Sequence, residues 1–167
     1  MSLNDDRQGY PTHKQDADLQ AMHAACPWLV TWDDHEVQND FAGLKVGKNG
    51  PKIYDFAARR SAAYRAFYDC MPVHAWVLTR AGAGLASGLE MSIYNRSQNG
   101  QLASFTMLDA RQYKSSQVCT RDGKHGSSAV NPSTCAAWID PARAMLGADQ
   151  EYWLDTAWAS TRGKSVA

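Results

Sequence analysis

WLVTWDDHEVQND, residues 28–40, sets a short apolar run directly against a cluster of acids. Residues 28–32 (WLVTW) are β-prone and consistent with a buried strand. Asp33, Asp34, Glu36 and Asp40 then place four carboxylates within eight residues, with no Lys or Arg among them. Such a group repels itself unless it is solvated or holds a cation. A strand that ends in carboxylates offers chemistry at its C-terminal edge, where ligands sit in open α/β sheets. Spacing alone leaves three readings open: a solvated acidic loop, a metal site, and one half of a carboxylate pair for glycoside hydrolysis. His35 adds a group that can face an oxyanion or protonate a leaving oxygen.

Upstream of this stretch, residues 1–14 read as irregular. From Asp16 the pattern is helical, with Leu19, Met22 and Cys26 recurring at three and four, and Pro27 ends it. Downstream, FAGLKVGKNGPK (41–52) is a Gly-rich connector. It is not a phosphate loop, because Gly43 lies too close to Gly47-Lys48 and Asn49 replaces the Ser or Thr. Residues 53–70 form the strongest helix, with Phe56, Ala63, Phe67 and Cys70 on one face. Arg60 falls on that face, either snorkelling or making an inward salt bridge. VHAWVLT (73–79) and MSIY (91–94) read as short strands around a turn at 81–88. LASFTMLD (102–109) is a firmer strand that closes on Asp109-Ala110-Arg111. Asp109 and Arg111 fit a structural ion pair that closes the strand. A last helix covers 146–160, with Leu146, Trp153, Leu154, Ala157 and Trp158 in a stripe and Gly163 beyond its end. The order α–β–α–β–β–β–α predicts an α/β or α+β domain, a sheet with flanking helices.

Composition narrows the function classes. With six Trp, seven Tyr and four Phe in 167 residues, the chain has enough to bury, so disorder is excluded. The net charge is zero, which excludes a global basic footprint for nucleic acid, so no sequence-specific nucleic-acid partner is expected. That zero hides an asymmetry: residues 1–40 hold eight acids and two bases, and the rest nine acids and fifteen bases. No transmembrane segment fits, and MSLNDDRQGY has no apolar core for a signal peptide. The four cysteines, at 26, 70, 119 and 135, form no CxxC pair. Cys26 and Cys70 read as buried thiols. For Cys119 and Cys135, spacing alone leaves a crosslink and free thiols equally open.

WDDHEVQND followed by FAG resembles the signature of the alkaline phosphatase D (PhoD-type) metallophosphatases. Four ordered stretches carry the resemblance: DADLQAMHAACPWLVTWDDHE, AARRSAAYRAFYDCMPV, GQLASFTMLDARQYKSSQVC and MLGADQEYWL. The resemblance implies an α/β fold of the metallophosphoesterase αββα sandwich type, with a metal centre at strand ends. It implies hydrolysis of phosphomonoesters and phosphodiesters, iron and calcium as cofactors with other divalent metals possible, and a periplasmic or extracellular location. By position, Asp34 stands as the metal ligand, with Asp33 the ligand if the register slips by one, and His35 faces the phosphate as the catalytic acid. Arg111 is the substrate-binding residue, and Glu36, Asn39, Asp40 and Asp109 stand behind the site. A similar Cys pair implies a Cys119–Cys135 disulfide.

Two family segments, a Cys-containing strand with GDxxY upstream and GDxHxS downstream, have no counterpart here. Asn95 and Lys114 also stand where the family usually carries Arg. The expectation is therefore that residues 1–167 are the central fragment of a single PhoD-like domain, incomplete at both ends and inactive alone. A different class stays open beside the enzyme: a non-catalytic module that binds a cation or a partner through the acidic loop.

Overall fold

The amino end, expected to be irregular, is helical. Ser2 and Asp5 form a capping box that starts α1 (Leu3–Lys14), and the helix runs through Pro11. It is held there from outside. Arg7 pairs with Asp69, and the buried Asp6 carboxylate pairs with Arg59, both on a later helix. The chain is described here by a computed structural model covering residues 2–47, 53–79, 90–120 and 129–159. The turn expected at 81–88 and the helix stop at Gly163 lie outside the described residues.

Helix α2 (Ala17–Ala25) begins at Asp16, whose side chain accepts from the Leu19 N–H. It lies on the surface with no buried residue, so Cys26 at its end is exposed rather than buried as expected. Helix α3 (Phe56–Cys70) is capped by Asp55 and presents Phe56, Ala63, Tyr64 and Phe67 inward. Burying one such Phe contributes about 1.5–3 kcal/mol. Cys70 falls beyond that buried stripe and is half-buried, a second correction to the expected pair of buried thiols.

Trp32, Val37, Phe41, Val77, Met91 and Ile93 pack against α3 to make the core. Trp32 stacks on Tyr64 with ring centroids 4.1 Å apart and meets Phe67 edge-on. Residues 28–32 are extended but form no strand, because no ladder partner lies beside them among the described residues. Side-chain bonds hold the run instead: Thr31 Oγ1 donates to the Leu108 carbonyl at 3.1 Å and the Trp28 indole N–H to the Met22 carbonyl at 3.3 Å.

Two further expected strands differ. VHAWVLT contains a helical turn, α4 (Trp76–Thr79), started by His74: its Nδ1 accepts from the Trp76 N–H, and its carbonyl from the Val77 N–H. Short apolar runs fit either periodicity, and the local cap decides. MSIY is extended but unpaired in a ladder, because the Gln112 amide takes both backbone groups of Met91. The ladder starts one residue later, with β1 (Asn95–Asn99) antiparallel to β2 (Ala103–Met107) and Ser97 opposite Phe105. Helix α5 (Ala148–Ala159) lies beside the hairpin, with Trp153 against Tyr94 and the Ala157 carbonyl held by Arg96 at 2.8 Å. The fold is thus mixed helix with a small two-stranded antiparallel sheet.

Candidate active site

The carboxylates of 33–40 are set by a tight turn that they build themselves. Glu36 reaches back to accept from the Asp33 N–H at 3.0 Å, and the Asp34 carbonyl accepts from the N–H groups of Val37 and Gln38. Asp34 Oδ2 then accepts from the Asp40 N–H at 2.6 Å, which fastens the exit of the turn to its start. Asp40 adopts φ of +61°, an unusual backbone for a residue with a side chain. Asn39 donates to the Asp40 carboxylate. Gly47 passes so close behind that a Cβ there would meet the Asn39 carbonyl at 1.6 Å, so only glycine fits.

Consecutive arginines of α3 hold both ends of this loop. Arg59 donates to the Glu36 carbonyl, and Arg60 donates to the Gly43 carbonyl at 2.9 Å while lying over the Tyr64 ring. Arg60 is therefore a buried clamp on a backbone carbonyl, not a snorkelling side chain.

Asp109 reaches the turn indirectly. It is fully buried and accepts from the backbone N–H groups of Arg111 and Gln112. Gln150 of α5 serves as a substitute strand for it, accepting from the Asp109 N–H and donating to the Asp109 carbonyl, each at 2.8 Å. This fixed bend aims Arg111 at the acids. Its guanidinium lies 2.6 Å from Asp33 Oδ1 and 3.7 Å from Asp34 Oδ1. Arg111 thus pairs with the acidic turn, while Asp109 shapes the backbone beneath it.

The electrostatics follow from this packing. Burial pushes the Asp34 carboxyl up, but the Asp40 N–H and the Arg111 guanidinium outweigh it and hold it below its ordinary 3.8. Burial raises Asp109 above the same value despite its N–H donors. Lys114 is lowered by burial and by Arg111, against the pull of Asp40, Asp33 and Asp34. Asp34 is almost fully covered, whereas His35 beside it is exposed and Asp33 keeps 74% of its side chain open. Of the two residues that the resemblance sets at the site, only His35 is open, because Asp34 is spent partly on closing the turn.

Whether these residues fit a metal centre depends on the donors left over. Carboxylate oxygens suit hard cations. Yet Asp34 Oδ2 is taken by the Asp40 N–H, Asp33 is engaged by Arg111, and no three His, Cys, Asp or Glu groups converge among the described residues. The described donors do not by themselves complete a centre.

The family model for PhoD-like phosphatases matches residues 1–164. The chain belongs to the PhoD-like phosphatase family. It is 39% identical over 154 residues to alkaline phosphatase D of Bacillus subtilis (strain 168), covering 92% of this chain and 24% of that protein. A solved structure of PhoD matches with a TM-score of 0.69 at 36% identity, over 93% of this chain and 27% of that one. The chain thus spans about a quarter of the length of the relatives it matches.

Within this PhoD-like segment, Asp33, Asp34 and Arg111 come together, with Lys114 beside them. Glu36, Asn39, Asp40 and Asp109 hold the backbone around them. Cys119 and Cys135 are joined by a disulfide with Cα atoms 6.1 Å apart, beyond the site in the loop that follows Arg111. Sequence reasoning gave no role to Arg59, Gln112 or Gln150. The two glutamines lie inside the quoted LDARQ and MLGADQ stretches, and their signal was a polar residue at a position that packs inward.

Proposed function

We propose that this chain is the acidic-turn segment of a phosphoric ester hydrolase acting on phosphomonoesters and phosphodiesters. The observation that supports it most is Arg111 held against Asp33 and Asp34 from 78 residues away. A planar guanidinium fixed at an acidic turn is suited to bidentate contact with phosphate oxygens. In this reading Arg111 binds the ester phosphate, and Lys114 adds a second cation at the rim. His35, exposed at the head of the turn, protonates the leaving oxygen, a role that contributes ~10²–10⁴-fold. Asp34, or Asp33 if the register slips by one, is this segment's share of a metal centre, with iron and calcium as the metals, set in a metallophosphoesterase-type αββα sandwich. Bound metals would supply charge neutralisation at the phosphoryl group. Residues 1–167 are read as the central part of that single domain.

An exported location agrees with the Cys119–Cys135 disulfide, since such bonds persist in oxidising compartments. No described helix is long and apolar enough to cross a membrane.

The test is hydrolysis of a chromogenic phosphodiester and phosphomonoester, with iron and calcium supplied, by the 167-residue chain and by a full reading frame containing it. The chain alone should turn over little. In the full frame, Asp34→Ala should lose metal and activity together, whereas His35→Ala should keep metal and lose mainly kcat. A full frame whose activity ignores both changes refutes the proposal. If Asp33→Ala strips the metal and Asp34→Ala does not, the ligand is Asp33.

A further inference from the structure

Beyond Lys114 the surface opens into a cavity of about 400 Å³, within the usual range for small-molecule sites. Its wall is mostly apolar: Val118, Val130, Trp138 and Met145, with Lys114 and Arg143 as the charged members. Trp138 and Met145 remain 54% and 52% exposed around it. The cavity shares a wall with the acidic turn. Gln117, which also lines it, donates to the Asp40 carbonyl at 2.6 Å, and Lys114 stands within the field of Asp33, Asp34 and Asp40.

The wall is built rather than loose. The Ser115 N–H donates to the Ala144 carbonyl, and the Ala144 N–H returns a bond to Ser115 Oγ. Arg143 is fastened to the Ser116 carbonyl at 2.6 Å. Trp138 sits on a 3-10 turn (Ala136–Ile139) that starts directly after Cys135, which the disulfide ties to Cys119 next to Val118. A wall fixed in advance loses little freedom when a ligand enters.

We propose that this cavity seats the alcohol part of the phosphate ester, and that it selects planar, aromatic groups by the open face of Trp138. The inference rests on the phosphatase reading above: with the phosphate at Arg111 and Lys114, the ester oxygen's substituent is directed over Lys114 into the apolar wall. An indole face, a thioether and two valines match a flat apolar ring, and the two cations disfavour a cationic alcohol.

Nuclear magnetic resonance on the chain with a pair of non-hydrolysable probes tests this. The Trp138 indole N–H signal is assigned among the six tryptophans as the one lost in Trp138→Phe. Phenylphosphonate should shift the Trp138 indole and the Arg111 Nε–H together, and methylphosphonate only the latter. Phenylphosphonate should bind at least about tenfold more tightly, the size of effect an apolar pocket gives. Trp138→Ala should abolish that preference and leave methylphosphonate binding unchanged, with Trp138→Phe retaining most of it. Val130→Asp, which puts a charge into the wall, should act as Trp138→Ala does. Equal binding of both probes, or a preference that survives Trp138→Ala and Val130→Asp, overturns the inference and leaves the phosphatase reading standing. A phenylphosphonate shift at Trp138 without one at Arg111 separates the cavity from the phosphate site and overturns the reading on which the inference rests.

Discussion

Replacing Arg59 by Met should destabilise the chain severely, and its cost is set by Asp6. The side chains of Arg59 and Asp6 are 6% and 8% exposed, so removing the guanidinium leaves a carboxylate without its partner in a nearly dry place. Breaking such a pair costs about 3–5 kcal/mol. The Glu36 carbonyl loses a charged donor as well. For a chain of this size each kcal/mol lowers Tm by roughly 2–4 °C, so the expected fall is about 6–20 °C. Urea unfolding of Arg59→Met, Asp6→Leu and the double variant forms a closed cycle. The double variant should recover most of the loss, because two apolar side chains no longer bury a charge. A single-variant cost under about 1 kcal/mol, or a double variant as unstable as the sum of the singles, refutes the reasoning.

Gln150→Leu leaves the buried N–H and carbonyl of Asp109 without partners, at about 1–3 kcal/mol for each, and a urea midpoint unchanged from wild type would contradict that. Burial raises Asp109 above 3.8, so its contribution to stability is fully present below that value and is lost as pH rises through the raised one. Asp109→Asn should flatten that part of the stability-versus-pH curve, measured as urea midpoints across mildly acidic to neutral pH, and a slope identical to wild type would rule this out. Replacing Cys119 and Cys135 by Ser opens a loop with a sequence separation of 16 and should cost about 3 kcal/mol, read from thermal unfolding with and without reductant.

What the sequence discloses depends on how local the cause is. Helices α2, α3 and α5 and strand β2 are legible because caps and apolar spacing act within a few residues, as with Asp16 and Asp55. Helix α1 carries the same kind of signal in Ser2 and Asp5, but Gly9 and Pro11 mask it, and the ion pairs to α3 that retain it are remote. The runs at 28–32 and 91–94 have strand composition without a strand, since a ladder needs a neighbour that composition cannot supply. At Met91 that neighbour is a glutamine side chain. The acidic turn itself is readable from residues 33–40. The partner that gives it meaning, Arg111, is brought there by a bend at Asp109 that rests on Gln150, forty-one residues beyond Asp109.

The join between the helices α1–α3 and the hairpin with α5 is made largely of loops. Thr31 meets Leu108, Gly43 meets the Arg111 carbonyl, Ser92 meets Val77, and Asp33 meets Arg111. Asp33 and Arg111 therefore act as a gauge of how the two parts are seated, since any slip between them changes the charge spacing first. Loop contacts open at lower free energy than helix interiors. Warming should unmake the acidic turn's pairing with Arg111 while α3 and its aromatic stack are still whole. A protein arranged in this way loses the pairing at its acidic turn before its shape.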